Sequence, residues 1–414
     1  MLKGRDFTQA SQVTWNNQNL LIDSISDTQI VVTIPATALS QPVASLLTVS
    51  NGPGTGSSNA IGFTVVPNLG AHAQMQVLNV SGSDLAWDAA RNLLYVSVPT
   101  GDPVSPDTIA VIDPAAAAIQ QTIPVADQPS AIALSDDGSY LYAGFSGQAI
   151  VQRYSLPSFS LDLTIPTGAG VTGTVGTQGS CAFPVAMKVA PGSPQTIAVS
   201  EGITNVGPSA CILAIYDNAT ARPNTLSYFT SGVEFSSLVW GADANTLYGQ
   251  VQNGISPQEI YGVIVSPSGV SPANGLNRGG FGLQVHFDPG TKLLYSDSGV
   301  ITNPVGPAQV GQFDSGEGTL LATDSALKRA FVLTPLTTVP NSGHGANSYT
   351  LNIYDLNTQA LLNTITIPDV LGAPWRMVRW GTNGLAFVTS NWPSEGTTVG
   401  ALYILQGSDI SGAP

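Results

Sequence analysis

The segment "WRMVRW", residues 375–380, gathers two of the chain's eight Arg and two of its six Trp. A guanidinium beside an indole can hold an anion or stack on a sugar ring. Strand alternation would put Arg376 and Val378 on one face and Met377 and Arg379 on the other. The competing reading is structural: Trp380 packs inside the fold, and the arginines pair with turn acids. The three histidines, His72, His286 and His344, share no metal-ligand spacing, so no metal site is expected. No GxSxG, no P-loop and no GxGxxG opening a helix is present, and no cofactor is expected. Cys181 and Cys211 form no CxxC and are too few for a zinc site.

The chain has 414 residues, of which 9% are charged, and a formal net charge of −14. Four Lys and no basic run exclude nucleic acid, which needs clustered cations to displace counterions. No run of eighteen apolar residues exists to span a membrane. The opening "MLKGRDF" lacks the apolar core of a signal peptide. A Ser/Thr/Asn-rich, Lys-poor β composition is nevertheless common in exported bacterial proteins, so an extracellular, cell-surface or periplasmic location is expected. With 44 Gly and 29 Pro, turns are frequent and long helices are not expected.

Short alternating strands fill the first seventy residues: 13–15, 20–22, 29–34, 45–49 and 61–65. Their order, with "GRDF", "VTWNNQNL", "TQIVVTIPATAL" and "SNAIGFTVV", resembles the IPT/TIG module, an immunoglobulin-like β-sandwich. Against that pattern, residues 1–67 look clipped at the N-terminus, with an edge strand missing. Such modules are spacers or interaction units.

Seven segments after this share one template: apolar strand, polar turn, apolar strand. They start at Leu85, Ile132, Met187, Leu238, Val285, Leu320 and Val378, spaced 47, 55, 51, 47, 35 and 58 residues apart. That spacing suits four-stranded propeller blades of about 40–50 residues. "SDDGSYLYAG", residues 135–144, is one of them; its Asp and Gly suit a turn needing local amide acceptors and positive φ. The seventh repeat runs out before a fourth strand, while residues 73–80 hold a strand with no partner. Ring closure assigns that strand to the last blade. The expected fold is all-β: a seven-bladed β-propeller over 73–410 behind a small immunoglobulin-like β-sandwich.

The turns, such as "SDDGSYLYAG", resemble the YVTN/lactonase-type propeller family at the level of the repeat. That resemblance implies architecture, and relatives that are either lactone hydrolases or surface proteins. The first strand of each blade would line the channel, so its polar residues are the binding candidates: Asp84, Lys188, Gln284, His286, Arg376 and Arg379, with Trp375, alongside Ser130 and Ser236. Cys181 and Cys211 fall in loops expected on one face, which favours a disulfide over two free thiols. The expected function is non-enzymatic binding of a protein or carbohydrate at one propeller face. The alternative is a lactonase-like hydrolase, which requires His286 and an acid within about 6–7 Å across the channel mouth.

Overall fold

The computed structural model describes residues 1–15, 18–40, 43–52, 55–168, 182–202, 210–227, 235–251, 259–278, 284–306, 308–314, 320–336, 347–390 and 399–412. The expected Cys181–Cys211 disulfide and His344 lie outside the described residues.

Residues 2–65 build one six-stranded arrangement. Its third strand, Gln18–Ile25, changes partner midway: Leu20 pairs with Val13, whereas Leu21 pairs with Thr33. A bulge follows between Ile22 and Ser24. Such a bend lets one strand serve both layers of a sandwich. Val13, Trp15, Ile30, Leu47 and Val49 are buried between them, with Phe7 and Phe63 packed alongside.

Seven further sheets follow among the described residues, each of four strands or, in the third, five. Their inner strands are Asp84–Asp88, Pro129–Leu134, Phe183–Ala190, Phe235–Trp240, Val285–Asp288, Leu320–Asp324 and Ala373–Trp380. We number the blades 1 to 7 in that order. Each inner strand neighbours the next, and that of blade 7 neighbours that of blade 1. The ring is closed. Gln74–Leu78 supplies the outer strand of blade 7, pairing antiparallel with Leu402–Gln406.

The apolar residues explain why the ring holds. Each seam between blades buries its own cluster, with no single central core. Leu85 and Val96 of blade 1 meet Trp380 and Val388 of blade 7. Tyr295 and Phe313 of blade 5 meet Leu321 and Val332 of blade 6. The terminal helix, Ser408–Ser411, plugs Ile410 into the seam of blades 6 and 7. These strands are apolar on both faces because each blade is sandwiched between two others.

Polar turns join the strands. Asp88, Asp113, Asp288 and Asp355 each accept two backbone amides two and three residues on. Gly138 adopts φ +69° in the corresponding turn of blade 2, and Asn92, Lys292 and Lys328 occupy the same left-handed region. Turn aspartates are thus engaged locally.

Because consecutive strands of a blade are antiparallel, connections alternate between two faces. The face where inner strands begin is here the mouth face. The N-terminal sheet leans on it. Gly62 sits where a Cβ would lie 2.7 Å from Leu371 and 3.8 Å from Val399, both in mouth-face connections of blade 7. Asn59 Nδ2 donates to Pro103 O of blade 1 at 3.5 Å. The linker then descends past the seam of blades 6 and 7, where Leu69 packs, to the opposite face. There Asp409 N donates to His72 O, and the closing strand begins.

Candidate binding site at the channel mouth

Four inner strands open with a register shift at the mouth: between Pro129 and Ile132, Pro184 and Ala186, Phe235 and Ser237, and Pro374 and Arg376. A bulge adds a residue and re-aims the next side chain. Proline, lacking an N–H, is tolerated there because the ladder is already interrupted. Trp375 is the extra residue in blade 7, and its indole lies under the Arg376 guanidinium, 4.6 Å from carbon to ring centre.

Arg376 reaches across to blade 1. Its Nε donates to Asp84 Oδ1 at 3.2 Å and its Nη1 to Trp375 O at 3.1 Å. Asp84 also accepts Leu85 N and, across the next seam, Ile132 N, both at 2.9 Å. Arg376 and Asp84 are 14% and 17% exposed, so the pair is only partly desolvated.

Lys188, on the inner strand of blade 3, is exposed to solvent, with protein atoms around its ammonium. Burial lowers the pKa of its ammonium, while Asp84 raises it and Arg376 lowers it further.

The other candidates lie elsewhere. Arg379 faces blade 6, where Nε and Nη2 donate to Asp324 Oδ2 at 3.2 and 2.9 Å and the guanidinium stacks on Phe331. Burial lowers the Arg379 pKa and Asp324 opposes it. This is a pairing with a turn acid that ties blade 7 to blade 6, away from the mouth. Trp380 is buried in the seam with blade 1, its ring 6.2 Å from Trp87. Gln284 offers its carbonyl to Asp297 N.

His286 Nε2 donates to Asp297 Oδ1 at 2.8 Å, and that oxygen also accepts Leu321 N of blade 6. The acid beside His286 therefore belongs to its own blade and staples a seam; it does not face the histidine across the channel. Among the described residues, no three His, Cys, Asp or Glu gather as metal ligands. His72 lies at the opposite face, with Nδ1 3.1 Å from Ser408 Oγ.

Sequence reasoning missed Glu201. It is the penultimate residue of the second strand of blade 3, Ser193–Gly202, fully buried at the mouth-face end. Burial pushes its pKa up to about 7, against hydrogen bonds donated by Tyr216 Oη at 2.5 Å and Gly168 N at 2.8 Å. A carboxylate ending the apolar run "TIAVSEG" was the available signal.

Residues 1–65 match the model of the IPT/TIG domain. No curated protein matches the chain in sequence. Among solved structures, the chain is similar to the β-propeller domain of Cps50 (Swd1) from Myceliophteria thermophila. The TM-score is 0.51 at 10% identity, covering 80% of this chain and 99% of that one. Similarity to Kuenenia stuttgartiensis hydrazine synthase is weaker, with TM-score 0.41 at 14% identity over 75% of this chain and 77% of that one. No helix is long and apolar enough to cross a membrane among the described residues. The chain is a β-propeller that carries an IPT/TIG domain at its N-terminus.

Proposed function

We propose that this chain is an exported bacterial interaction protein whose propeller, residues 73–410, binds a protein or carbohydrate on its mouth face. The IPT/TIG domain, residues 1–67, acts as the spacer leaning on that face. The observation that carries this reading is the convergence on one face. The inner-strand bulges, the Asp84–Arg376 pair stacked on Trp375, and the docked N-terminal sheet all lie there. A mouth ringed by polar and aromatic groups offers both hydrogen bonds and a stacking plane. Lys188 belongs to this surface; Arg379, His286 and Gln284 support the ring behind it. The Cys181–Cys211 disulfide, proposed for the mouth-face loops, would brace its border.

The reading is non-enzymatic. His286 pairs with Asp297 of its own blade, which supports this reading over a lactonase-like hydrolase that pairs the histidine with an acid across the channel. A thermal-shift panel of glycans and lactones, with and without calcium, tests this. Ligands that bind the native state raise Tm by mass action. We expect a glycan or protein ligand to raise Tm, lactones to remain unconsumed, and Trp375→Ala to abolish the shift. Lactone turnover lost in His286→Ala would overturn it.

A further inference from the structure

Glu201 is 0% exposed and closes the mouth end of the seam between blades 2 and 3. Ile197, Val199 and Glu201 alternate along one face of their strand. The first two share a buried cluster with Val151 and Ile165 of blade 2. Each carboxyl oxygen of Glu201 has one donor: Tyr216 Oη at 2.5 Å on Oε1 and Gly168 N at 2.8 Å on Oε2. An ionised carboxylate has about four acceptor positions to fill.

No cation offsets this acid among the described residues. Tyr216 is the one titratable group that acts on it, and Lys188 of the same blade does not. Arg153 and Asp162 of blade 2 pair at the opposite end of the seam, where Arg153 Nη1 reaches Asn218 Oδ1. Segments 169–181 and 203–209 contain no Asp, Glu, Lys, Arg or His, and Cys181 is their one titratable residue. The two hydrogen bonds favour the ionised acid, but burial opposes it and wins, which raises the pKa to about 7. The donor on Oε2 belongs to the connection from blade 2. Gly168 has φ +92°, and a Cβ there would stand 3.2 Å from that of Ala182. Thr167 Oγ1 donates to Ala182 O, and Ala182 N donates to Gly202 O at 3.1 Å. Both ends of the connection are thus gathered over the Glu201 carboxyl.

We propose that Glu201 is a pH-sensitive latch: protonated, it stays buried beneath Gly168 and holds the blade 2–3 connection down; ionised, it draws in water and frees the Thr167–Gly168 end. The sign follows from linkage. An opened state hydrates Glu201 and returns it to its ordinary acidity, so every rise in pH between about 4.5 and 7 favours opening. Relief is local because Glu201 stands one residue from the end of its strand. Water need only displace the connection, with the seam below intact. That this regulates binding rests on the reading of the mouth face as the binding face; the latch itself does not.

The test is hydrogen exchange of the full chain, without ligand, read by peptide mass spectrometry at pH 5.5 and 8.5. Rates are expressed as protection relative to the unstructured amide, which removes the intrinsic effect of pH. Protection of the Thr167, Gly168 and Ala182 amides is expected to fall about tenfold or more at the higher pH. The central strand of blade 1, residues 93–98, is the internal reference and should hold its protection. Glu201→Gln keeps the shape without the charge and should abolish the fall, which also separates Glu201 from Cys181. Tyr216→Phe keeps the acid and removes a donor that favours its charged form. Its fall should therefore extend to higher pH than in the wild type. Protection equal at the two pH values overturns the proposal, as does an equal fall in Glu201→Gln. An unmoved or lowered pH range in Tyr216→Phe also overturns it, and this variant serves if Glu201→Gln does not fold. A silent glycan and protein panel alongside a pH-dependent latch would remove the binder reading and leave the latch standing.

Discussion

Asp84 takes hydrogen bonds from three places: its own neighbour Leu85, the next blade at Ile132, and the previous blade through Arg376. One carboxylate thus joins blades 7, 1 and 2. The Arg379–Asp324 pair does similar work further down, tying blade 7 to blade 6. Its members are 11% and 16% exposed, so removing one leaves the other poorly hydrated. Asp324→Ala is expected to cost about 2–4 kcal/mol in urea unfolding. Glu201 sets a pH dependence. Its folded pKa, about 7, lies above the ordinary 4.5, so the folded state retains the proton longer. Its contribution to stability is complete below about pH 4.5 and is lost as pH rises through 7, by up to about 3 kcal/mol. Glu201→Gln mimics the protonated acid and should flatten that part of the stability profile. An unchanged slope in the variant would contradict the assignment.

At the scale of elements, the strands and their turns were legible because a blade is a local pattern. Apolar alternation, Asp-rich turns and Gly138 all signal over fewer than fifteen residues. The bulges were less legible, although Pro129, Pro184 and Pro374 stand first or second in their inner strands and mark them. Partnerships were hardest to read. Arg376 and Asp84 are 292 residues apart, and Glu201 meets Gly168 from another blade across 33. Only ring geometry brings such pairs together. The same geometry separates Arg379 from the mouth: neighbouring positions on a strand face opposite seams. Close packing between strands can be tested directly. A Cβ at Gly384 would fall 1.8 Å from the Trp380 ring. Gly384→Ala is therefore expected to destabilise by about 3 kcal/mol, because the indole must leave its seam or the strand must move. Gly62→Val should push the N-terminal sheet off Leu371 without unfolding the ring. Faster proteolysis within residues 66–73, at an unchanged propeller Tm, would report it.

On the scale of the whole molecule, the seven seams are nearly independent cores, and closure makes them one unit. The closing strand comes from the N-terminal side of the ring, whereas its partner, Leu402–Gln406, comes from the C-terminal end. This joins the two ends of the propeller by a backbone ladder and buries Met75 against blade 6 residues such as Phe331. An open ring would expose the edge of blade 7 and the apolar side chains behind it. Closure also fixes the path of the linker, and so where the IPT/TIG domain can lean.

The most direct measurement compares thermal unfolding and size-exclusion behaviour of two shortened chains, one beginning at residue 69 and one at residue 81. The account predicts that the first is a monomer with a single cooperative transition within a few degrees of the full chain. The second, lacking the closing strand, should associate or lose cooperativity. A monomeric, cooperatively melting 81–414 chain with an unshifted Tm would contradict closure by residues 74–78.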